Sequence, residues 1–183
     1  GAVLLFDTSN GSVVAVMDAS SITAIRTAAV SAVATRALSR GDSTELTILG
    51  SAVQARTHLE AMLLVRPIKR VRVWSRHSES ARAFAESARM RHSVPIETVD
   101  SAGAAVAGAD IICTTTASRE PVLNGEWIGK GTHINAVGAS AVASVRPLLS
   151  VDKRLSRLGA IPTTGASPRL FSPHQLRLVI LRD

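Results

Sequence analysis

The segment Thr47–Glu60, TILGSAVQARTHLE, constrains the fold more than any other stretch of the chain. An apolar run, Leu46–Leu49, stops at Gly50, and a helical pattern then runs from Gln54 through Leu59, Met62, Leu63 and Val65. Strand, glycine turn and helix start, in that order, form the corner that grips phosphate in dinucleotide-binding folds. Free N–H groups and the positive end of the helix dipole favour a pyrophosphate there. The G-x-G-x-x-G fingerprint is incomplete, because Ala52 and Ala55 stand where its second and third glycines would be. A plain strand–helix turn with glycine at the bend is the competing reading.

The following segments repeat the rhythm. Arg70–Trp74 (RVRVW) alternates with period two and reads as a strand, followed by Ser75-Arg76-His77 and a helix over Ser78–Met90. In this fold a carboxylate at the end of the second strand takes the ribose 2′-hydroxyl, whereas an arginine suits a 2′-phosphate. Ser75, Arg76 and His77 occupy that place without a carboxylate, so the spacing suggests NADP over NAD. A solvated surface arginine is the other reading of Arg76. Ser101–Ala107 is a short alanine-rich helix closed by Gly108. Ala109–Thr114 is a strand that ends in the run Thr114, Thr115, Thr116, Ala117 and Ser118, and Thr132–Val137 is another, ending at Gly138. Hydroxyls at the carboxyl end of a parallel strand face the cofactor crevice. Strands and helices alternating at this spacing predict an α/β fold with a Rossmann-like, doubly wound parallel sheet.

The N-terminal segment reads differently. Ala2–Phe6 and Val13–Met17 flank an Asn10-Gly11 turn signal and predict a hairpin. Ser20 or Ser21 is expected to cap a helix from about Ile22 to Leu38, with Ile22, Ile25, Ala29, Val33 and Ala37 as its apolar stripe. Arg26 would then lie in the first turn, where the dipole disfavours a cation. Either a bound anion or an ion pair with Asp18 would explain it.

Charge narrows the partner classes. The net charge is +7, but residues 1–140 hold 14 basic and 12 acidic residues, and residues 141–183 hold 7 and 2. The excess is therefore concentrated in a segment that carries four of the seven prolines. That segment reads as a composition break, poorly ordered or loosely docked, with one short strand at Leu176–Leu181. This distribution argues against nucleic acid as a partner. No run approaches the ~20 apolar residues of a membrane span. The single cysteine, Cys113, sits in a predicted strand as a small core hydrophobe, which fits a reducing, cytoplasmic setting. The chain does not start with Met, so its true N-terminus is expected upstream.

Taken in order, VLLFD, SNG, AVMDASSITAIRTAAVSAVAT, ILGSAVQAR, VRVWSR and AGADIICTTT…EPVLNGEWIGKGTHINAVGAS resemble the ornithine cyclodeaminase/mu-crystallin family over roughly residues 2–140. WSR and Ser140 place the resemblance nearest the mu-crystallin branch of NADPH-dependent ketimine reductases. The resemblance implies residues 1–20 as a remnant of an α+β substrate and dimerisation domain, 21–140 as the dinucleotide domain and 141–183 as a divergent basic tail. It implies Arg26 at the cofactor and substrate carboxylate. Gly50, Ser51, Val53 and Gln54 fall at the pyrophosphate turn, and Ser75, Arg76 and His77 at the 2′-phosphate. Thr114, Thr115 and Thr116 fall beside the ribose and nicotinamide, and Val137 and Gly138 face the nicotinamide. The implied chemistry is reduction of cyclic C=N imino acids by NADPH, with NADH disfavoured, in a dimer-forming protein.

Departures from the family pattern carry their own expectations. Ala52 would crowd the pyrophosphate. Ser140 replaces the aspartate of the cyclodeaminases, which removes the proton acceptor of an NAD-dependent lyase. The tail after Ser140 is unlike the family. Members are much longer, with an N-terminal half-domain that carries further substrate-binding residues, so this chain reads as a truncated cofactor domain. A non-enzymatic carrier of NADPH and thyroid hormone and an inactive truncated product are the remaining alternatives.

Overall fold

The computed structural model describes residues 1–118 and 120–137, together with the backbone of a strand at 177–181. Strands β1 (Ala2–Phe6) and β2 (Val13–Asp18) pair antiparallel as a separate two-stranded sheet. Their loop is longer than a two-residue turn. The Asp7 N–H donates to the Ser12 carbonyl and the Gly11 N–H to the Asp7 carbonyl, both at 2.8 Å. Gly11 has φ +73°, which favours glycine. Leu4, Phe6, Val14 and Val16 of this hairpin are exposed.

Helix α1 spans Ala19–Leu38. Its N-cap is Asp18, whose carboxylate accepts from the Ser21 N–H at 2.7 Å, so the cap falls earlier than Ser20 or Ser21. Hydrogen bonds from Ser21 hold the Asp18 carboxyl below its ordinary range. Arg26 is therefore the eighth residue of the helix, and the first-turn dipole argument does not apply to it. Asp18 is spent on the cap, more than two turns away.

The buried face of α1 is also not the expected stripe. Ala24, Thr27, Ala28, Ser31 and Thr35 are buried, whereas Ile25 is 68% exposed and Val33 60%. Small residues let α1 lie close to helix α2 (Val53–Val65), where the Ser31 and Thr35 hydroxyls find partners and the buried Thr27 hydroxyl does not. Ser31 Oγ meets His58 Nε2 at 2.9 Å, and His58 Nδ1 lies 2.7 Å from the Gln54 carbonyl. Burial lowers the pKa of His58, which keeps the imidazole neutral.

The main sheet contains β3 (Glu45–Leu49), β4 (Arg70–Trp74), β5 (Ile96–Thr98), β6 (Ile111–Thr114), β7 (His133–Val137) and β8 (Arg177–Leu181). Every pairing is parallel, in the order β5-β4-β3-β6-β7-β8. Counted from β3, this is the doubly wound order 3-2-1-4-5-6. Helices α3 (Ser78–Arg89) and α4 (Ala102–Val106) and a 3₁₀ turn at Gly125–Trp127 complete the described elements. The strand at Leu176–Leu181 thus joins the sheet as β8, past the boundary expected at residue 140. The three-residue β5 is an addition to the elements read from sequence.

Apolar residues cover both faces of the sheet. Leu46, Ile48, Val71, Val73 and Cys113 pack with Ala55, Leu59, Met62 and Phe84. Leu49, Ile112 and Ile134 pack with Ala105, Val106 and Leu123. Among the described residues no helix is long and apolar enough to cross a membrane.

Arg66, just past α2, collects the carboxyl end of α1. Its Nη2 donates to the carbonyls of Thr35, Arg36 and Ser39 at 2.9, 2.9 and 3.0 Å, and its Nε to that of Arg40 at 2.8 Å. A cation there complements the negative helix end. Arg66→Ala should lower unfolding free energy by about 1.5–3 kcal/mol, the range for bonds to a charged group. A urea midpoint equal to wild type would show that solvent replaces the clamp.

Candidate dinucleotide-binding site

The site forms where the strand order reverses, between β3 and β6. Gly50 follows β3 with φ +125°, and its N–H donates to the Trp74 carbonyl at 2.8 Å. A Cβ at this position would sit 2.6 Å from Thr115 Oγ1 and 2.8 Å from the Thr115 carbonyl oxygen. Thr115 is fixed in turn, since its N–H and hydroxyl both donate to the Leu49 carbonyl, at 2.7 and 3.0 Å. Only glycine satisfies the backbone angle and the close approach together.

A cavity of about 220 Å³ opens above this contact. Seven of the residues singled out from sequence line it: Gly50, Ser51, Ser75, Arg76, His77, Thr115 and Thr116. Ala52, Ala117 and Ser118 also line it, as do Trp74 and Val122, which sequence reasoning did not place at the site. Ser51 Oγ donates to Ser75 Oγ at 3.2 Å and ties the two rims together. Among the described residues no carboxylate stands in the wall.

Two helices begin at this cavity, and neither has a side-chain cap. Ala52 is the N-cap of α2 and His77 that of α3, and neither makes a side-chain cap hydrogen bond. Away from the cavity, α1, α4 and the 3₁₀ turn are capped by Asp18, Ser101 and Asn124. Two helix starts without side-chain caps thus lie at a cavity whose described wall holds no carboxylate, an arrangement that suits an anion.

The other predicted positions lie elsewhere. Val53 is exposed on the first turn of α2. Gln54 turns toward α1, its Nε2 donating to the Thr23 carbonyl at 3.4 Å, while its Oε1 is buried without a hydrogen-bond partner. Thr114 is buried at the end of β6, and its hydroxyl also lacks a partner. Val137 is buried at the end of β7, and Arg26 is exposed on α1. Gly138 and Ser140 lie outside the described residues. Ala55 is fully buried in the core between helix and sheet. Burial pushes the Cys113 thiol up to about 12, so it is no nucleophile near neutral pH.

Fold and site together define a doubly wound, Rossmann-like domain with its cavity at the switch point. The chain belongs to the ornithine cyclodeaminase/mu-crystallin family, whose sequence model matches residues 1–150. It is 51% identical over 138 residues to the ketimine reductase mu-crystallin of Rattus norvegicus, covering 75% of this chain and 43% of that protein. The chain therefore spans less than half the length of this curated relative. The Thermococcus litoralis Δ1-pyrroline-2-carboxylate reductase, solved with NADH and L-proline, superposes with TM-score 0.79 and 32% identity, covering 97% of this chain and 64% of that one. The iminosuccinate reductase of Paracoccus denitrificans, solved with NAD+, superposes with TM-score 0.69 and 33% identity over 75% of this chain and 42% of that one.

Gly50→Ala should cost about 1–3 kcal/mol of stability through backbone strain, and it should displace Thr115 from the cavity wall. Denaturant unfolding checks the first effect. An unchanged midpoint would mean that the turn relaxes without penalty.

Proposed function

We propose that this chain is the cofactor-binding part of an NADPH-dependent reductase of cyclic imino acids. Residues 21–140 form the dinucleotide domain and residues 1–20 belong to a substrate and dimerisation unit. The observation that carries the reading is the acid-free cavity at the switch point, faced by two uncapped helix starts and by Arg76. A dinucleotide fits this donor set. The pyrophosphate would take the N–H groups at the start of α2, beside Ser51, Val53 and Gln54, and Arg76 with Ser75 and His77 would take a 2′-phosphate. Thr114, Thr115 and Thr116 would lie along the ribose and nicotinamide, with Val137 and Gly138 toward the ring. Arg26 would hold the substrate carboxylate. When bound, the nicotinamide supplies the hydride for the C=N carbon, and the protein supplies orientation and charge.

Reductases that carry the same fold support this reading: a ketimine reductase by sequence, and imino-acid reductases with bound NADH or NAD+ by structure. NADPH over NADH rests on Arg76 and on the missing carboxylate. The family resemblance extends the proposal to a dimer, to a cytoplasmic location and to thyroid hormone as a further ligand.

Trp74 lines the cavity, so its fluorescence should report binding. NADPH should bind at least about tenfold more tightly than NADH, and Arg76→Ala should remove that preference, as expected for loss of a charged contact. Equal affinities in wild type would refute the 2′-phosphate assignment, and failure to bind either would refute the site. Ala52→Gly should tighten both cofactors by admitting closer backbone approach; weaker or unchanged binding would show that the turn holds no pyrophosphate. For the chemistry, this chain's matched segment can replace its counterpart in the rat relative. The chimera should oxidise NADPH when given a cyclic ketimine carboxylate. A folded, NADPH-binding chimera that cannot do so would overturn the reductase reading.

A further inference from the structure

The facing edges of α1 and α2 carry polar side chains at helical spacing: Thr23, Thr27, Ser31 and Thr35 on one, Gln54, His58 and Met62 on the other. Three bridges join the rows. Gln54 Nε2 donates to the Thr23 carbonyl at 3.4 Å, Ser31 Oγ lies 2.9 Å from His58 Nε2, and the Thr35 hydroxyl donates to Met62 Sδ at 3.4 Å. His58, in the middle, is fully buried and is the one member of these rows that takes a proton near neutral pH. Its Nδ1 lies 2.7 Å from the Gln54 carbonyl, which cannot donate. Nδ1 therefore carries the ring hydrogen, and Nε2 accepts from the Ser31 hydroxyl.

We infer that His58 is a pH-sensitive latch between α1 and α2, whose neutral ring holds the helices together and whose protonation at Nε2 loosens α1. The latch stands on the α1–α2 contacts; its bearing on cofactor binding rests on the dinucleotide reading above. With Nε2 protonated the ring donates on both sides, the Ser31 hydroxyl loses its acceptor, and a positive charge is buried in the interface. The rows are already short of bonds toward the start of α2, where Thr27 Oγ1 and Gln54 Oε1 are buried without partners among the described residues. Release begins there, beside Arg26 on α1 and the α2 N-terminus at the cavity.

Among the described residues no charged group meets the ring. On α1, Arg26 and Arg36 are exposed; on α2, Arg56 is exposed, and so is Glu60, 3.9 Å from Arg91. From the sheet come Cys113, whose thiol is pushed up to about 12, and His133, bonded to Asn135 at 3.2 Å. Burial lowers the His58 pKa, the bond to the Gln54 carbonyl opposes it, and no charged neighbour contributes. Above the ordinary value of 6.5 the ring is neutral whether α1 is latched or open, and the latch has its full strength. Below it the open state takes the proton first, so the latch weakens as pH falls toward the lowered folded value.

Hydrogen exchange of the α1 amides measures the opening, by mass spectrometry on the full chain at pH 7.5 and 5.5, corrected for the intrinsic rate at each pH. In wild type the opening constant should rise about tenfold at the lower pH, the effect of one histidine protonated in the open state alone. Amides of α3 should not follow; an equal rise there would mean global acid unfolding and would overturn a local latch. His58→Gln and His58→Leu do not titrate and should open equally at both pH values. No rise in wild type, or the same rise in both variants, would overturn the role of His58, the second result assigning the effect to a group such as His133. The link to the cofactor is tested with NAD+, which lacks the 2′-phosphate that titrates near pH ~6. At ten times its dissociation constant NAD+ should lower α1 opening about tenfold at pH 5.5. Bound NAD+ without that effect would overturn the link and leave the latch, whereas failure to bind would refute the dinucleotide reading, with the exchange of the free chain still deciding the latch.

Discussion

Everything functional in this domain hangs on a contact with no spare room, the approach of Gly50 to Thr115. Adjacent strands in a parallel sheet lie about 4.8 Å apart, and here the chain leaving β3 must turn across the end of β6 within that spacing. The hydroxyl and N–H of Thr115 both grip the Leu49 carbonyl, so the β6 side cannot yield. The turn must therefore give way, and with φ +125° and no Cβ it does. This contact sets where α2 starts and where its N–H groups point. It also places the Thr115–Ser118 segment opposite the β4 loop. The cavity is the gap that remains when these loops diverge.

A second constraint holds α1 against this frame. Its interface is polar and closely packed. Ser31 meets His58, and Thr35 Oγ1 accepts from Asn135 Nδ2 at 2.9 Å, while Asn135 also approaches Cys113 Sγ at 3.6 Å. Each such bond contributes only ~1 kcal/mol net, but a buried group left without its partner costs ~1–3 kcal/mol. The network therefore fixes one register of α1 on α2 and β7 more sharply than greasy packing would. Arg66 closes the far end over the carbonyls of α1. For the proposed role of Arg26 the consequence is positional, because Arg26 rides on this helix.

Much of the frame was legible in the sequence, for physical reasons that also explain the failures. Arg70–Trp74 alternates in sequence and the strand falls where that pattern puts it, although Arg72 is buried along with Val71 and Val73. Gly50 was legible because a single residue type solves the geometry. The face of α1 was not. A hydrophobicity pattern points to Ile25 and Val33, but the fold buries Thr27, Ser31 and Thr35, which are paired or small enough to lie close. Strand β5 escaped because three residues carry too little periodicity. Gln54 was placed at the pyrophosphate, yet its side chain reaches across to Thr23, and helix spacing alone does not say which neighbour a long amide will choose.

The two alanines in the glycine fingerprint show why a motif must be read position by position. Ala55 replaces the glycine that lets a helix approach its sheet, and it is fully buried against the core. Its methyl fills space that a glycine would leave open, so the departure suits the helix packing. Ala52 faces the cavity at the N-cap of α2. Ala52 is exposed there and meets no packing demand, and under the proposed function it stands at the pyrophosphate turn. The same substitution therefore supports the fold at one site and burdens binding at the other. The pocket offsets that burden elsewhere, through a second uncapped helix start at His77, the Arg76 charge and a wall without carboxylates. The suitability of this cavity for an anion thus rests on the whole concave surface, with the glycine turn contributing shape.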